Sequence, residues 1–256
     1  MVYDPVKAKS FVTSIDLTGT PRGILSLDAA TETGTIFDSA KNQAQVAGSG
    51  VFAFEQGVDA TVREAISDSA LLAQLHADKQ VKFEDDPMRW FSVYGDVLSN
   101  LGWTVQDSGW NTYEAQGTNV EVNQKIVDLL TVALGAAPTA LAIITATIAA
   151  LGTPNSPWVT IFNRETQRAN LARFQIGLVS TGLNNDVFVS LVACIIVADN
   201  EITQVLFFKW GAAKATLKAN AQKVSINRNA VADLGPAVRN KIEAYQADYL
   251  SSIKDI

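Results

Sequence analysis

The sequence predicts an α/β fold: a single domain in which an antiparallel sheet of long strands is wrapped by helical hairpins on both faces. Three observations carry this. Residues 171–226 hold long apolar runs joined by short turn-forming segments, which is the signature of an antiparallel meander. Those runs are nearly continuous in apolar residues, as in strands buried on both faces. Upstream, residues 58–151 show helical rather than alternating periodicity, so they supply the cover. The 256-residue chain is 48% hydrophobic and only 18% charged, enough to bury a sizeable core.

The elements follow in order. Residues 1–57 are punctuated by Gly19, Pro21, Gly23 and Gly34 and read as a covering or irregular segment, with a short strand around Val51, Phe52 and Phe54. Residues 58–151 are mainly helical. Val58, Val62 and Ile66 fall four apart, and Leu71, Leu72 and Leu75 extend their side to about residue 77, where His76 can bond terminal carbonyls. Asp86 as N-cap, Pro87 in the first helical position and Gly102 past the end frame a helix over 87–101. A helical hairpin follows, Ile126 to Leu151. Its first arm carries Ile126, Leu130 and Leu134, and its second, opened by Pro138, carries Leu141, Ile144 and Ile148. Residues 158–226 read as antiparallel strands, with runs at 158–162, 171–179, 187–198, 203–210 and 213–226. A C-terminal helix is expected over 233–255, capped by Asp233 with Pro236 near its start.

Composition excludes several kinds of function. A net charge of −6 disfavours broad electrostatic binding to nucleic acid, so no nucleic-acid partner is expected. One Cys and one His exclude an internal disulfide and a Cys/His zinc cluster. Gly48-Ser49-Gly50 lacks the Lys-Ser/Thr ending of a phosphate loop, and no nucleophile elbow is present. No catalytic residue, metal ligand or cofactor-binding residue is nominated, and the chain reads as a non-enzyme. A Cys194–His76 pair is conceivable, but Cys194 sits within an apolar strand, where a thiol acts as a small hydrophobe. Glu84, Asp85 and Asp86 have two readings, a helix N-terminus complementing its dipole or a weak cation site.

Other features point to a membrane. Mean hydropathy is +0.12. No charged residue occurs from Leu129 to Asn163. The second arm of the hairpin makes only about four turns, short of the roughly 20 apolar residues of a spanning helix. It is therefore either a hairpin buried against the sheet or a movable segment that lies on or enters a bilayer after a conformational change. Lys214 and Lys218 share one face of the last strand and Lys223 the other, with Lys209 on the strand before. These lysines either protect an edge strand or, with Leu217, Phe207 and Phe208, form membrane-contacting surface. Arg164, Arg168 and Arg173 can reach lipid phosphates or pair on the surface. The first residues, Met1 to Lys7, show no basic stretch followed by an apolar one. The expectation is a protein without a signal peptide, made in the cytoplasm and released or delivered to act on host or target-cell membranes.

The region from about 125 to 226 resembles the Cyt-type cytolytic δ-endotoxins and the fungal volvatoxin-like cytolysins. An Ala/Leu/Thr-rich hairpin comes first, Ile126 to Leu151. The segment Trp158-Val159-Thr160-Ile161-Phe162-Asn163-Arg164-Glu165-Thr166 is similar to that family's Trp-x-x-aromatic-x-Lys-Glu-Thr pattern. The run Gln204-Val205-Leu206-Phe207-Phe208 then follows a strand bearing a lone Cys. The resemblance implies membrane lipids as partners, self-association on membranes, and action without catalysis by conformational opening and bilayer insertion or perturbation. The 122–151 hairpin would be the movable layer and 171–226 the membrane-active sheet. The N-terminal half lies outside this resemblance. A second resemblance, resting on Cys194 alone, is to the Evf-type virulence factors. It implies the alternative of a non-lytic virulence factor with a covalently bound fatty acid, such as palmitate, on that cysteine.

Overall fold

A computed structural model of the chain describes residues 3–20, 37–104, 109–114, 121–134, 137–183, 186–207, 215–253 and 256. The elements are α1 (Pro5–Ser14), β1 (Gln43–Ala47), β2 (Gly50–Phe54), α2 (Ala60–Gln80), α3 (Pro87–Asn100), β3 (Trp103–Thr104) and β4 (Asn111–Glu114). They continue with α4 (Val122–Leu134), α5 (Pro138–Ala150), α6 (Pro157–Thr166), β5 (Gln167–Arg168), β6 (Leu171–Thr181), β7 (Val187–Ala198), β8 (Ala215–Ile226), α7 (Arg228–Tyr249) and β9 (Leu250–Ile253).

All nine strands among the described residues join one sheet. Its main order is β3-β8-β7-β6-β2-β1-β9, with β4 also on β8 and β5 on β6. The long strands β6, β7 and β8 pair antiparallel along their whole length, as expected. β2 departs from the expectation by pairing parallel with β6, because the chain leaves the sheet after β2 and returns through the helical cover. Period-two alternation sends Phe52, Phe54, Val189, Leu191 and Val224 to one face, which α1, α2, α3 and α7 cover. Val51, Ala53, Phe174, Val192, Cys194 and Leu217 go to the other, which α4, α5 and α6 cover.

Four expectations are corrected. Residues 158–162 are not a strand but part of α6. Pro157 stands in its first turn, and Ile161, Phe162, Glu165 and Thr166 are buried at helical spacing. The expected strand over 203–210 is, at Val205–Phe207, a turn of 3-10 helix; residues 208–210 lie outside the described residues. The last helix starts at Arg228, not near Asp233. Asn227 caps it, accepting from the Asn229 and Ala230 amides at 3.0 and 3.4 Å, and Pro236 lies inside the helix. That helix ends at Tyr249, after which β9 pairs with β1. Residues 1–57 also hold more order than an irregular cover. β1 and β2 are fully buried, and α1 begins at a capping Asp4.

The turn between β1 and β2 shows how these strands are held. Gly48 has φ +59°, and a Cβ there would fall 2.2 Å from Gln74 Oε1. That close approach lets Ser49 donate to the same oxygen from its backbone N and its Oγ, at 2.7 and 2.9 Å. Gln74 Nε2 in turn donates to Glu165 Oε2 at 3.0 Å, tying α2, the turn and α6 together. Gly48-Ser49-Gly50 is therefore a hairpin turn locked by a buried glutamine.

Candidate functional site

The two helical layers are fastened differently. On the face of α1, α2, α3 and α7, charged groups staple helix to helix. Arg239 of α7 donates to Asp68 at 3.1 Å and Glu64 at 2.7 Å, both on α2. Tyr245 Oη donates to the Leu17 carbonyl at 2.9 Å, and Lys79 pairs with Asp16. Arg173 of β6 pairs with Asp78 of α2 at 2.5 Å and lies 3.8 Å from the Trp90 ring centroid. This arginine is 2% exposed, and burial lowers its pKa despite the Asp78 charge. It is a core staple and not a lipid-phosphate ligand, which corrects that reading. Arg164 pairs with Glu165 at 2.6 Å, and Arg168 with Glu84 at 3.3 Å.

Among the described residues the α4–α5 hairpin has no such fastening. Ile126, Leu130 and Ile144 are fully buried against the sheet and Ile148 nearly so, whereas Leu134 and Leu141 are half-buried. Its side-chain hydrogen bonds stay local: Gln124 to Asp128, Thr131 to the Val127 carbonyl, and Thr147 to the Ile143 carbonyl. Among the described residues no salt bridge or side-chain hydrogen bond links the hairpin to the sheet's long strands. Lys125 Nζ lies 4.2 Å over the Tyr113 ring, and the Ala150 carbonyl accepts from Trp158 Nε1 at 3.0 Å. Removing this layer therefore exposes apolar surface but breaks almost no specific polar bond. Its outer face is uncharged on α5, where Thr139, Ala142, Thr145, Ala146 and Ala149 are exposed, and Val132 of α4 is 83% exposed.

Cys194 lies on the sheet face under this hairpin, with no exposed surface. Burial pushes its thiol well above the usual range, so it stays protonated and unreactive. His76 sits on α2, which covers the opposite face, so the two never form a nucleophile–base pair. The His76 pKa is lowered by burial first and Lys79 second, and α2 runs past it to Gln80, so it does not end the helix. A specific outcome is expected: the native protein resists maleimide at neutral pH, and one label per chain appears on unfolding. Intact mass checks this, and fast labelling of the native state would contradict it.

The strand lysines separate as the period of two demands. Lys218 is half-buried on the face of α1, α2, α3 and α7. Lys223 is exposed on the other, its Nζ 4.6 Å over the Phe188 ring. Leu217 is buried, and Phe207 packs against Gly152, where an added Cβ would meet its ring at 2.9 Å. Lys209, Lys214 and Phe208 lie outside the described residues. β8 is bordered by β4 along 216–219 and by β3 at 225–226, so it is only partly an edge. The acidic cluster acts as a helix start, with Asp86 accepting from the Arg89 amide at 3.0 Å. No group of acidic, His or Cys side chains suited to a metal occurs among the described residues.

No family model matches this chain, and a search of curated proteins finds no match. Solved structures do. The chain is similar to a δ-endotoxin, with TM-score 0.44 and 13% identity over 69% of this chain and 79% of that one. It is also similar to the Evf virulence factor, with TM-score 0.34 and 11% identity over 97% of this chain and 92% of that one.

One feature escaped the sequence reading. Between α3 and the sheet lies an open cavity of about 380 Å³. Its walls include Phe91, Tyr94, Leu98, Trp110 and Leu191, and its floor carries Gln175, Asn220 and Gln222. The available signal was polar amides at inward positions of otherwise apolar strands: Gln175 in β6, and Asn220 and Gln222 two apart in β8.

Proposed function

We propose that this protein is a membrane-active toxin or virulence factor that works by releasing the α4–α5 hairpin from its sheet, without catalysis. The observation that carries the reading is a contrast in fastening: α2 and α7 are stapled by ion pairs, whereas among the described residues no ion pair or side-chain hydrogen bond joins the α4–α5 hairpin to the long strands. A bilayer supplies an alternative apolar partner for the hairpin and the uncovered strands, so the hydrophobic cost of opening in water is offset there.

The lengths of the elements favour strands over helices as the spanning parts. α5 has 13 residues, about 20 Å of helix, against a hydrocarbon core of roughly 30 Å. No described helix is long and apolar enough to cross a membrane. β6, β7 and β8 have 11, 12 and 12 residues, whereas a tilted spanning strand needs about 9–11. On this reading the hairpin lies in the headgroup region while the long strands perturb or enter the bilayer, several copies associating to cover their edges. The net charge of −6 favours zwitterionic over anionic lipid.

Dye release from phosphatidylcholine liposomes tests the proposal. Release is expected at low protein-to-lipid ratio and is expected to fall when phosphatidylserine is added. No release from either composition would overturn the lytic reading. The second reading, a non-lytic factor acylated on Cys194, draws on a single thiol enclosed in apolar surroundings. Because Cys194 has no free surface, an acyl group there must displace neighbouring side chains or the hairpin itself. An intact mass above 27.4 kDa by one fatty acyl group favours that reading.

A further inference from the structure

We infer that the cavity between α3 and the sheet binds an uncharged sugar. This does not depend on hairpin release, which concerns the opposite face.

The cavity is built for a ligand rather than left by loose packing. Gln175 is 1% exposed, yet neither Oε1 nor Nε2 has a hydrogen-bond partner among the described residues. Gln222 Oε1, on the same floor, is likewise buried and unpartnered. A buried amide left unpaired is costly, and evolved cores keep few of them, so three such atoms around one cavity call for an occupant. Gln175 Oε1 lies beside Gly50, where an added Cβ would be 3.3 Å away.

The chemistry of the lining selects the class of ligand. Among the described residues no Lys, Arg or His lines the cavity, and the exposed Asp96 borders it, so the described lining offers a phosphate or carboxylate no counter-charge. A purely apolar ligand would leave the floor amides unpaired. What remains is a neutral molecule with several groups that both donate and accept. Two hydroxyls on adjacent carbons satisfy Gln175 at both ends, one donating to Oε1 and the other accepting from Nε2, and a third hydroxyl can donate to Gln222 Oε1. Trp110 and Phe91, whose rings are 5.0 Å apart, form a wall for the C–H face of a pyranose ring. Ser92 and Ser99 add hydroxyls along the α3 side. A volume of about 380 Å³ lies within the usual range of small-molecule sites.

The test titrates the intact protein with methyl α-mannoside, methyl β-galactoside, methyl β-glucoside and N-acetylglucosamine, read by saturation-transfer NMR and tryptophan fluorescence. N-acetylneuraminate is the anionic control. Saturable binding of at least one neutral sugar is expected in the millimolar range, weakened about tenfold or more by Gln175→Leu and by Trp110→Ala. Because Gln175→Leu removes unpaired polar atoms, its Tm is expected to stay level or rise. Absence of binding by all four neutral sugars overturns the inference. So does binding that survives Gln175→Leu, equal binding of N-acetylneuraminate, or a Tm loss in Gln175→Leu, which would give the amide a structural partner instead.

Discussion

A disulfide joining α4 to β8, built in a Cys194→Ala background, is expected to abolish dye release and to restore it on reduction. α4 packs on β7 and β8, so positions within disulfide reach can be chosen across that contact. A cross-link of this kind is worth about 2–4 kcal/mol, equivalent to roughly 30- to 1000-fold in the detached population. The reduced form of the same variant is the internal control, since it carries the same substitutions. A matching cross-link between α2 and α7 is expected to leave release intact, because that layer already stays fastened through Arg239. Release undiminished in the α4-locked form would show that opening lies elsewhere.

The second large effect concerns the fastened layer. Asp78→Ala removes the carboxylate that pairs with Arg173 and that accepts from Trp90 Nε1 at 2.7 Å. Arg173 is then left charged, almost fully buried and without its counter-ion; Nε and Nη1 already have no hydrogen-bond partner among the described residues. The expected loss is about 3–5 kcal/mol of folding stability. Arg173→Met, by contrast, removes the charge that needs compensation while filling similar volume, so it is expected to be nearly neutral or to stabilise. Urea unfolding of the two variants measures both. Equal destabilisation would mean that the stacking of Arg173 on Trp90 and Phe83, and not its charge, dominates the site.

Much of this architecture is legible in the residues, and the exceptions have identifiable causes. α3 is readable because Asp86, Pro87 and Gly102 mark both ends and a wide apolar face lies between. The α4–α5 hairpin is readable because Pro138 separates two apolar periodic runs. α6 misleads because Val159, Thr160 and Ile161 are β-branched and favour strands locally; the Pro157 start signal and the burial of Ile161, Phe162 and Glu165 outweigh that preference. β1 escapes notice because its inward positions include Gln43 and Gln45, which break the apolar alternation. Gln43 is held by partners outside its strand, its Oε1 accepting from the distant Arg63 at 3.0 Å and from the Asp38 amide at 2.7 Å. α7 starts earlier than expected because Asn227 caps it upstream of Asp233, and the helix tolerates Pro236 at the loss of one backbone donor.

The candidate site divides along the same line. The hairpin and Cys194 carry their own signals, an uncharged helical pair and a lone thiol in an apolar run. Their spatial relation is not readable, because nothing local says that Cys194 faces the hairpin and His76 the opposite layer. Arg173 shows the limit most clearly. In sequence it is one of three nearby arginines, and only the partners Asp78, Trp90 and Phe83, brought from two helices and a loop, reveal it as core. The sugar cavity depends on strand register in the same way. Gln175, Asn220 and Gln222 meet only because β6 and β8 flank β7 with their polar positions on one face.

The arrangement also provides a built-in reporter for the central claim. Cys194, the chain's one thiol, lies beneath the layer proposed to move. The decisive measurement is its labelling by a membrane-permeant maleimide, followed by intact mass, in buffer and with phosphatidylcholine liposomes under conditions that give dye release. The account predicts slow labelling in buffer and labelling at least about tenfold faster with liposomes, a change equivalent to 1.4 kcal/mol or more in the cost of exposing the thiol. Dye release with Cys194 still as protected as in buffer would contradict hairpin opening.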